Sequence, residues 1–229
     1  MSSDATAEVS LHRKPHGASD RMALVLTTIL RFVSDLFFRR RYGHHAVVLE
    51  TVAAVPGMVG ATLNHLRCLR RMSDDRGWIR TLMAEAENER MHLMTFIHIA
   101  RPTAFERLIV VLVQGGFYNA FFLLYLISPK TAHRLVGYFE EAAFDNYTLY
   151  LAEIDAGRLP NLAAPEMARR YWNLPAGAML RDVVVIVRGE EAEHRDINHG
   201  FADELAGLRA PVPARETAFG SAFADQHPR

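Results

Sequence analysis

The sequence has one cysteine, Cys68, among 229 residues, and its acidic and basic side chains balance at a formal net charge of zero. One thiol cannot form an internal disulfide or hold an iron–sulfur cluster, so any metal must be bound by other donors, and a reducing compartment fits. Because basic residues do not outnumber acidic ones, the composition excludes the broad positive surface that polynucleotides attract. We therefore expect no nucleic acid partner.

The sequence also lacks the alternation of apolar and polar residues that is typical of half-buried strands, and helical periodicity fills most of it. It predicts helices at residues 21–40, 46–71, 77–100, 103–127, 131–156 and 176–208. Pro102, Pro129 and Pro175 fall at predicted boundaries, where a missing N–H is tolerated, whereas Pro56 lies inside a helix and should kink it. We predict one all-α domain over residues 21–208, with a disordered N-terminal tail (1–20) and a loose C-terminal tail (209–229).

Glutamate and histidine recur in a fixed order along four of the predicted helices: Glu50, then Glu89 with His92, then Glu140, then Glu191 with His194. Residues three apart share one helix face, so each Glu-x-x-His pair presents an oxygen and a nitrogen to one metal ion. Bundles that bind two iron or two manganese ions use one Glu from each of two helices and Glu-x-x-His from each of the others. The order therefore predicts a ferritin-like four-helix bundle with a dinuclear centre, built from two similar helical hairpins.

The surroundings of these glutamates differ. Glu50 lies in the apolar run VVLETVAAV, where a carboxylate is unfavourable to bury without a metal or cation. Glu140 is followed directly by Glu141, and only one of these two can face inward. For an isolated glutamate a solvated helix face is the usual role, so the order of the whole set carries the prediction.

The longest uncharged segment, LIVVLVQGGFYNAFFLLYLIS at residues 108–128, is long enough to span a bilayer. A crossing helix would separate Glu89 from Glu140, although both belong to one metal centre. Residues 22–38 are similarly apolar but contain Arg31 and Asp35, as interfacial helices do. The two segments predict two additional helices that form a hydrophobic membrane-interface surface on a monotopic protein and favour a homodimer. Two buried core helices of a soluble bundle are the alternative.

Five segments closely resemble those of the alternative oxidase family, the non-haem di-iron quinol oxidases. They are LETVAAVPGM (49–58), NERMHLMTF (88–96), QGGFYNAFFLLYLISPK (114–130), GYFEEAAFDNYT (137–148) and RGEEAEHRDINH (188–199). The likeness covers about residues 40–205. It implies two iron ions held by the same six residues, and a tyrosine close to the irons at Tyr147, seven residues after Glu140.

The resemblance also implies an activity. Members of the family are membrane-associated terminal oxidases that couple the oxidation of two ubiquinol molecules to the four-electron reduction of dioxygen to water, insensitive to cyanide and without pumping protons. Tyr147 would donate one electron and one proton, or else be a buried structural tyrosine. Two alternatives of other classes remain: a di-iron hydroxylase of a membrane-bound quinone precursor, and a ferritin-like iron-binding protein.

Residues beside the ligands have implied roles too. Asn88 and Asp196 are predicted to orient His92 and His194 through hydrogen bonds, with surface capping as the alternative. Three residues are predicted to border the quinol cavity: His45, Leu49 and Ala143. Leu49 and Ala143 could equally be plain core.

The sequence departs from the usual family pattern at several positions. Ala142 replaces a third consecutive glutamate, Asp145 stands where His is common, and His45 stands where many members have Arg. The regulatory cysteine and long targeting extension of the plant enzymes are absent. We therefore expect a bacterial member at the inner (cytoplasmic) membrane, with the mitochondrial inner membrane as the alternative.

Overall fold

The computed structural model describes residues 12–38 and 42–208, and apart from one isolated antiparallel bridge between Ala163 and Met179 their regular structure is α-helical. The helices are α1 (Ala18–Phe38), α2 (Tyr42–Arg71), α3 (Trp78–Ala100), α4 (Ala104–Ile127), α5 (Pro129–Asp155), α6 (Glu166–Tyr171) and α7 (Leu180–Leu205). Six of them correspond to the predicted helices. The predicted all-α helical bundle with two additional apolar helices is therefore confirmed.

Local signals explain most helix boundaries. Thr103 and Glu106 form a reciprocal capping box at the start of α4, and Pro129 is the first residue of α5. The start of α7 lies four residues later than predicted, because the N–H of Leu180 donates to the carbonyl of Leu162 beside the isolated bridge. Helix α6 was not predicted, since six residues after a proline are too few to show helical periodicity.

The chain divides into two compact units. The first unit consists of Met1–Tyr42 and His133–His199, and the second of Gly43–Ala132 and Gly200–Arg229. The first unit therefore contains α1, α6 and most of α5 and α7. The second contains α3, α4 and nearly all of α2.

In the second unit, α2 packs closely against α3 and α4 through two glycines. A Cβ atom at Gly57 would clash with the carbonyl oxygen of Leu82, and one at Gly60 would lie 3.1 Å from Leu82 Cδ1 and 3.3 Å from the Tyr125 ring. Glycine is therefore required where these helices approach. Helix α2 continues through Pro56 as one helix.

In the first unit, α5 and α7 share an apolar core. Its fully or almost fully buried side chains include Leu135 and Tyr138 on α5, with Val183, Val184 and Val187 on α7.

The segment before α1 also makes defined contacts in the first unit. The backbone N–H of Arg13 donates to Glu141, and that of His16 donates to Asp20. Residues 12–20 therefore differ from the free tail predicted for 1–20, because Arg13 is bound to α5 and α1 already begins at Ala18. Residues 1–11 and 209–229, the remainder of the two predicted tails, lie outside the described residues.

Two helices present wide apolar surfaces. Helix α1 exposes Met22, Val25, Leu26, Ile29, Leu30, Phe32, Val33 and Leu36, and α4 exposes Phe105, Leu108, Val111, Leu112, Val113, Tyr118, Leu123, Leu126 and Ile127. By length and composition alone, α4 and the Ala46–Arg71 segment of α2 could cross a membrane. The α2 segment is 56% buried and α4 only 11%. The apolar surface of α4 is thus not accounted for by packing within the described part of the chain.

Candidate metal centre

The second unit brings together three of the predicted ligands. Glu50 lies on α2, while Glu89 and His92 lie one turn apart on α3. One donor atom from each lies within 4.8 Å of the others, and all three residues are buried. His92 Nδ1 lies 3.3 Å from Glu89 Oε2 and 3.6 Å from Glu50 Oε2. We call these residues the α2–α3 triad.

The first unit brings together the other three. Glu140 lies on α5, and Glu191 and His194 lie one turn apart on α7. Their donor atoms also lie within 4.8 Å of one another, and all three residues are buried. We call them the α5–α7 triad. It repeats the composition of the α2–α3 triad: one lone glutamate and one Glu-x-x-His pair.

The chemistry of each triad fits a metal ion. Carboxylate oxygens and imidazole nitrogens are the donors that iron, manganese and zinc accept, and each triad offers both kinds. Buried ionised carboxylates without a compensating cation are strongly unfavourable, so two glutamates converging inside each unit favour a bound cation. The structure therefore brings glutamate and histidine together in buried groups that could hold a metal ion, as the sequence predicted.

Glu140 and Glu141 take different roles, as the sequence argument required. Both are buried, but Glu140 belongs to the α5–α7 triad, whereas the carboxylate of Glu141 binds His199 and His12. Neighbouring residues on a helix point about 100° apart, so the two carboxylates face different surroundings.

The predicted neighbours of the ligands are placed differently from one another. Tyr147 is buried on α5, two helical turns after Glu140 and so on the same face. Asn88, which precedes Glu89, is completely buried. Asp196 is exposed, and its carboxylate accepts a hydrogen bond from Arg195 at 2.8 Å. The structure therefore does not bring Asp196 to His194.

The three residues predicted to border a quinol cavity lie on ligand-bearing helices. Leu49 is half-buried beside Glu50 on α2, and Ala143 is half-buried one turn after Glu140 on α5. His45 lies on α2, but its side chain is outside the described part of the structure. Their role stays a prediction.

Three contacts beside the α5–α7 triad were missed by sequence reasoning. Asn198 Nδ2 donates to the carbonyl of His194 at 3.0 Å, and Asn198 Oδ1 lies 2.9 Å from His133 Nδ1. Trp172 Nε1 donates to Glu190, next to Glu191. The bond from Asn198 to His194 joins residues four apart and is local. Local spacing could not have revealed the other two, since His133 and Asn198 lie 65 positions apart and Trp172 and Glu190 lie 18 apart.

The buried His133 is neutral. Burial lowers the pKa of His133 to about 4, and its hydrogen bond with Asn198 opposes this only in part. Because Asn198 Oδ1 only accepts, the proton of the neutral ring lies on Nδ1.

Comparison with known proteins agrees with this architecture. Residues 1–203 match the family described as alternative oxidase. A protein named ubiquinol oxidase 1a, mitochondrial, from Oryza sativa subsp. japonica is 54% identical over 215 residues, covering 91% of this chain and 65% of the relative. Ubiquinol oxidase, mitochondrial, from Batrachochytrium dendrobatidis is 57% identical over 195 residues, covering 85% and 62% respectively. Ubiquinol oxidase 1a, mitochondrial, from Arabidopsis thaliana is 55% identical over 215 residues, covering 91% and 61%.

These relatives correct one prediction. The bacterial inner membrane expected from the sequence is contradicted, because all three are named as mitochondrial proteins of plants and a fungus. The chain spans 61 to 65% of their lengths. The match over most of the chain, together with the two buried Glu/Glu/His triads, shows that this protein belongs to the alternative oxidase family.

Proposed function

We propose that this protein is a membrane-associated ubiquinol oxidase that transfers four electrons from two quinol molecules to dioxygen. The balanced reaction releases two quinones and two water molecules, with four protons passing from the quinols to the oxygen atoms. The observation that carries the proposal is the pair of buried triads in a chain whose relatives are named ubiquinol oxidases.

The proposed ligands are the members of both triads: Glu50, Glu89, His92, Glu140, Glu191 and His194. Iron bound by this set would supply the redox chemistry that reduces dioxygen. The four glutamate carboxylates of this set would offset the charge of the bound ions. Burial of all six side chains excludes bulk water from the reacting groups, which limits side reactions.

The phenol of Tyr147 is the proposed internal donor of one electron and one proton. Its burial and its place on the Glu140 face of α5 support this role. A Tyr147→Phe variant should keep its iron and lose most of its turnover, measured as oxygen uptake at saturating quinol. Full turnover with full iron would leave Tyr147 a structural residue that bonds to a ligand carboxylate.

The exposed apolar faces of α1 and α4 support association with one leaflet of a membrane. Residues that fit this proposal include Leu49 and Ala143, half-buried next to the ligand positions where an apolar quinol tail could enter. His45 completes the proposed quinol-binding set. Apolar helices on an otherwise charge-balanced protein also support a homodimer.

The decisive experiment is oxygen uptake by the iron-loaded protein in lipid vesicles, with a ubiquinol analogue as the only reductant. We expect uptake that continues in cyanide, two quinones formed per dioxygen consumed, and no hydrogen peroxide. A pH-sensitive dye inside the vesicles should show no proton pumping, because quinol oxidation and dioxygen reduction would share one centre. Metal analysis should find about two irons per chain.

The same experiment separates the alternatives. A hydroxylase would place an oxygen atom in the quinone product, detectable by mass spectrometry with labelled dioxygen. A ferritin-like protein would take up oxygen with ferrous iron alone and accumulate ferric mineral. No uptake by protein that holds two irons would overturn the proposed oxidase activity.

A further inference from the structure

A buried polar chain joins α1, α5 and α7 within the first unit. Arg134 Nε donates to Asp20 Oδ1 at 3.1 Å, and Arg134 Nη1 lies 2.9 Å from His199 Nδ1. His199 Nε2 lies 3.0 Å from Glu141 Oε1. The four side chains are buried, and that of Arg134 is completely so. We call Asp20, Arg134, His199 and Glu141 the buried polar chain.

The donors and acceptors in this chain have only one consistent assignment. A guanidinium only donates, so His199 Nδ1 accepts from Arg134, and the ring proton on Nε2 donates to the Glu141 carboxylate. His199 is therefore a neutral imidazole held between a cation and an anion. Burial and Arg134 both lower the pKa of His199, while Glu141 opposes this shift.

Two residues that precede α1 also bind the Glu141 carboxylate. The backbone N–H of Arg13 donates to its Oε1 at 2.8 Å, and His12 Nδ1 lies 3.0 Å from its Oε2. Burial alone would raise the pKa of Glu141, but the hydrogen bonds from His199, Arg13 and His12 lower it below the ordinary value. Its carboxylate is thus bound on both oxygen atoms and is fixed in direction.

The contacts of His199 follow one face of α5. Arg134, Gly137, Tyr138 and Glu141 are spaced by three, one and three residues, which places them on one stripe of the helix. A Cβ atom at Gly137 would fall into the His199 ring, and the Tyr138 ring meets that ring edge-on with centroids 5.2 Å apart. Glycine at position 137 allows the close approach of α7.

The same two helices carry the α5–α7 triad. Glu140 immediately precedes Glu141, so fixing the direction of Glu141 also fixes the rotation of α5 that aims Glu140. His199 follows Asn198, whose side chain binds the carbonyl of His194. Any shift of α7 along α5 would break the bonds of His199 and displace Glu191 and His194 together.

We propose that His199 is a positioning residue for the α5–α7 triad, acting through Glu141 and Arg134 to set the rotation and register of the two helices. This inference rests on the proposed metal centre. Because the buried polar chain contacts the two helices that carry the α5–α7 triad, its loss should weaken metal binding by that triad.

The test is a titration of the metal-free full-length protein with Co²⁺, which gives ligand-field absorption bands and does not oxidise in air. His199→Phe keeps a ring of similar size but has no polar atom. We expect its affinity for one equivalent of Co²⁺ to fall about 10-fold to 100-fold, the range typical of residues that orient ligands.

Two further variants separate positioning from general destabilisation. His199→Gln retains a donor and an acceptor and should restore the Co²⁺ affinity to near the original value. Val183→Ala truncates a fully buried side chain on α7, which lowers stability, and it should leave the Co²⁺ affinity and the absorption bands unchanged. If His199→Phe does not fold, Glu141→Ala removes one of the groups that hold His199 and is expected to show the same loss of Co²⁺ affinity.

The outcomes distinguish this inference from the proposed function. Unchanged Co²⁺ binding by His199→Phe would overturn the positioning role while the metal centre stands. A wild-type protein that binds no Co²⁺ would overturn the proposed metal centre itself, and the positioning role with it.

Discussion

The α2–α3 triad and the α5–α7 triad present the same donors, yet their helices are held together in different ways. In the second unit, α2 approaches α3 through Gly57 and Gly60, whose missing side chains let the helices meet at close range. In the first unit, α5 and α7 are joined by buried polar contacts, through His133 with Asn198 and through His199 with Glu141.

The difference matters because the two kinds of contact respond to different perturbations. Close packing between glycines and a neighbouring helix depends on volume and is insensitive to pH. Buried hydrogen bonds between ionisable side chains specify one register, and they fail when a group gains a proton or loses its hydrogen-bonding partner. The packing beside the α2–α3 triad should therefore respond to added side-chain volume, and the contacts beside the α5–α7 triad to protonation. Experiments can perturb one without the other.

Removing a metal ligand should lower oxygen uptake more than any other substitution, and by the same factor in both triads. We expect Glu50→Ala and Glu140→Ala each to lower oxygen uptake more than about 100-fold, beyond the loss usual for residues that only orient ligands. Iron per chain, measured by atomic absorption, should fall in both. Glu193→Ala, which removes an exposed glutamate beside His194, is the matched control and should keep its iron. Iron retained by only one of the two alanine variants would show that the triads are not equivalent.

Adding a methyl group should test the glycine-mediated packing of α2. Gly57→Ala places a Cβ atom against the backbone carbonyl of Leu82, which cannot rotate away, so we expect a loss of about 1–3 kcal/mol in the free energy of unfolding. Gly137→Ala should also be destabilising, because its Cβ would fall into the buried ring of His199, which Arg134 and Glu141 hold in place. Gly189→Ala meets no atom within 4 Å and should stabilise α7 by up to about 1 kcal/mol. Urea unfolding of the three variants measures these differences, and an unaffected Gly57→Ala variant would remove the proposed basis of the α2–α3 contact.

Acidification should weaken the contact between α5 and α7. The pKa of His133 is about 4 when folded and near 6.5 when unfolded, so between these values the unfolded chain binds more protons. The contribution of His133 to stability is therefore complete above pH 6.5 and is lost as the pH falls towards 4, by at most about 1.4 kcal/mol per pH unit.

The measurement is urea unfolding of the metal-free protein between pH 7 and pH 4.5. His133→Gln cannot gain a proton, and its stability should fall less steeply over this range than that of the wild-type protein. Parallel curves for the two proteins would mean that folding does not shift the pKa of His133.

The sequence was sufficient to predict the all-α fold, six of the helices and the chemistry of the metal site. Periodicity and proline positions report local structure, and a Glu-x-x-His pair within one helix is itself a local pattern. Asn88 could be predicted to be close to its ligand pair, since it lies beside Glu89 on the same helix. The sequence alone could not show that Asp196 lies away from its ligand pair, because only the packing of α7 leaves that side chain exposed.

What the sequence determined by itself was therefore which residues lie on which helix face, because that depends on spacing alone. The tertiary structure alone decided which faces meet, that Glu141 turns away from the triad to bind His199, and that the polar contacts join positions 58 to 65 residues apart. Such contacts depend on how whole helices pack, and no local pattern of residues encodes that arrangement.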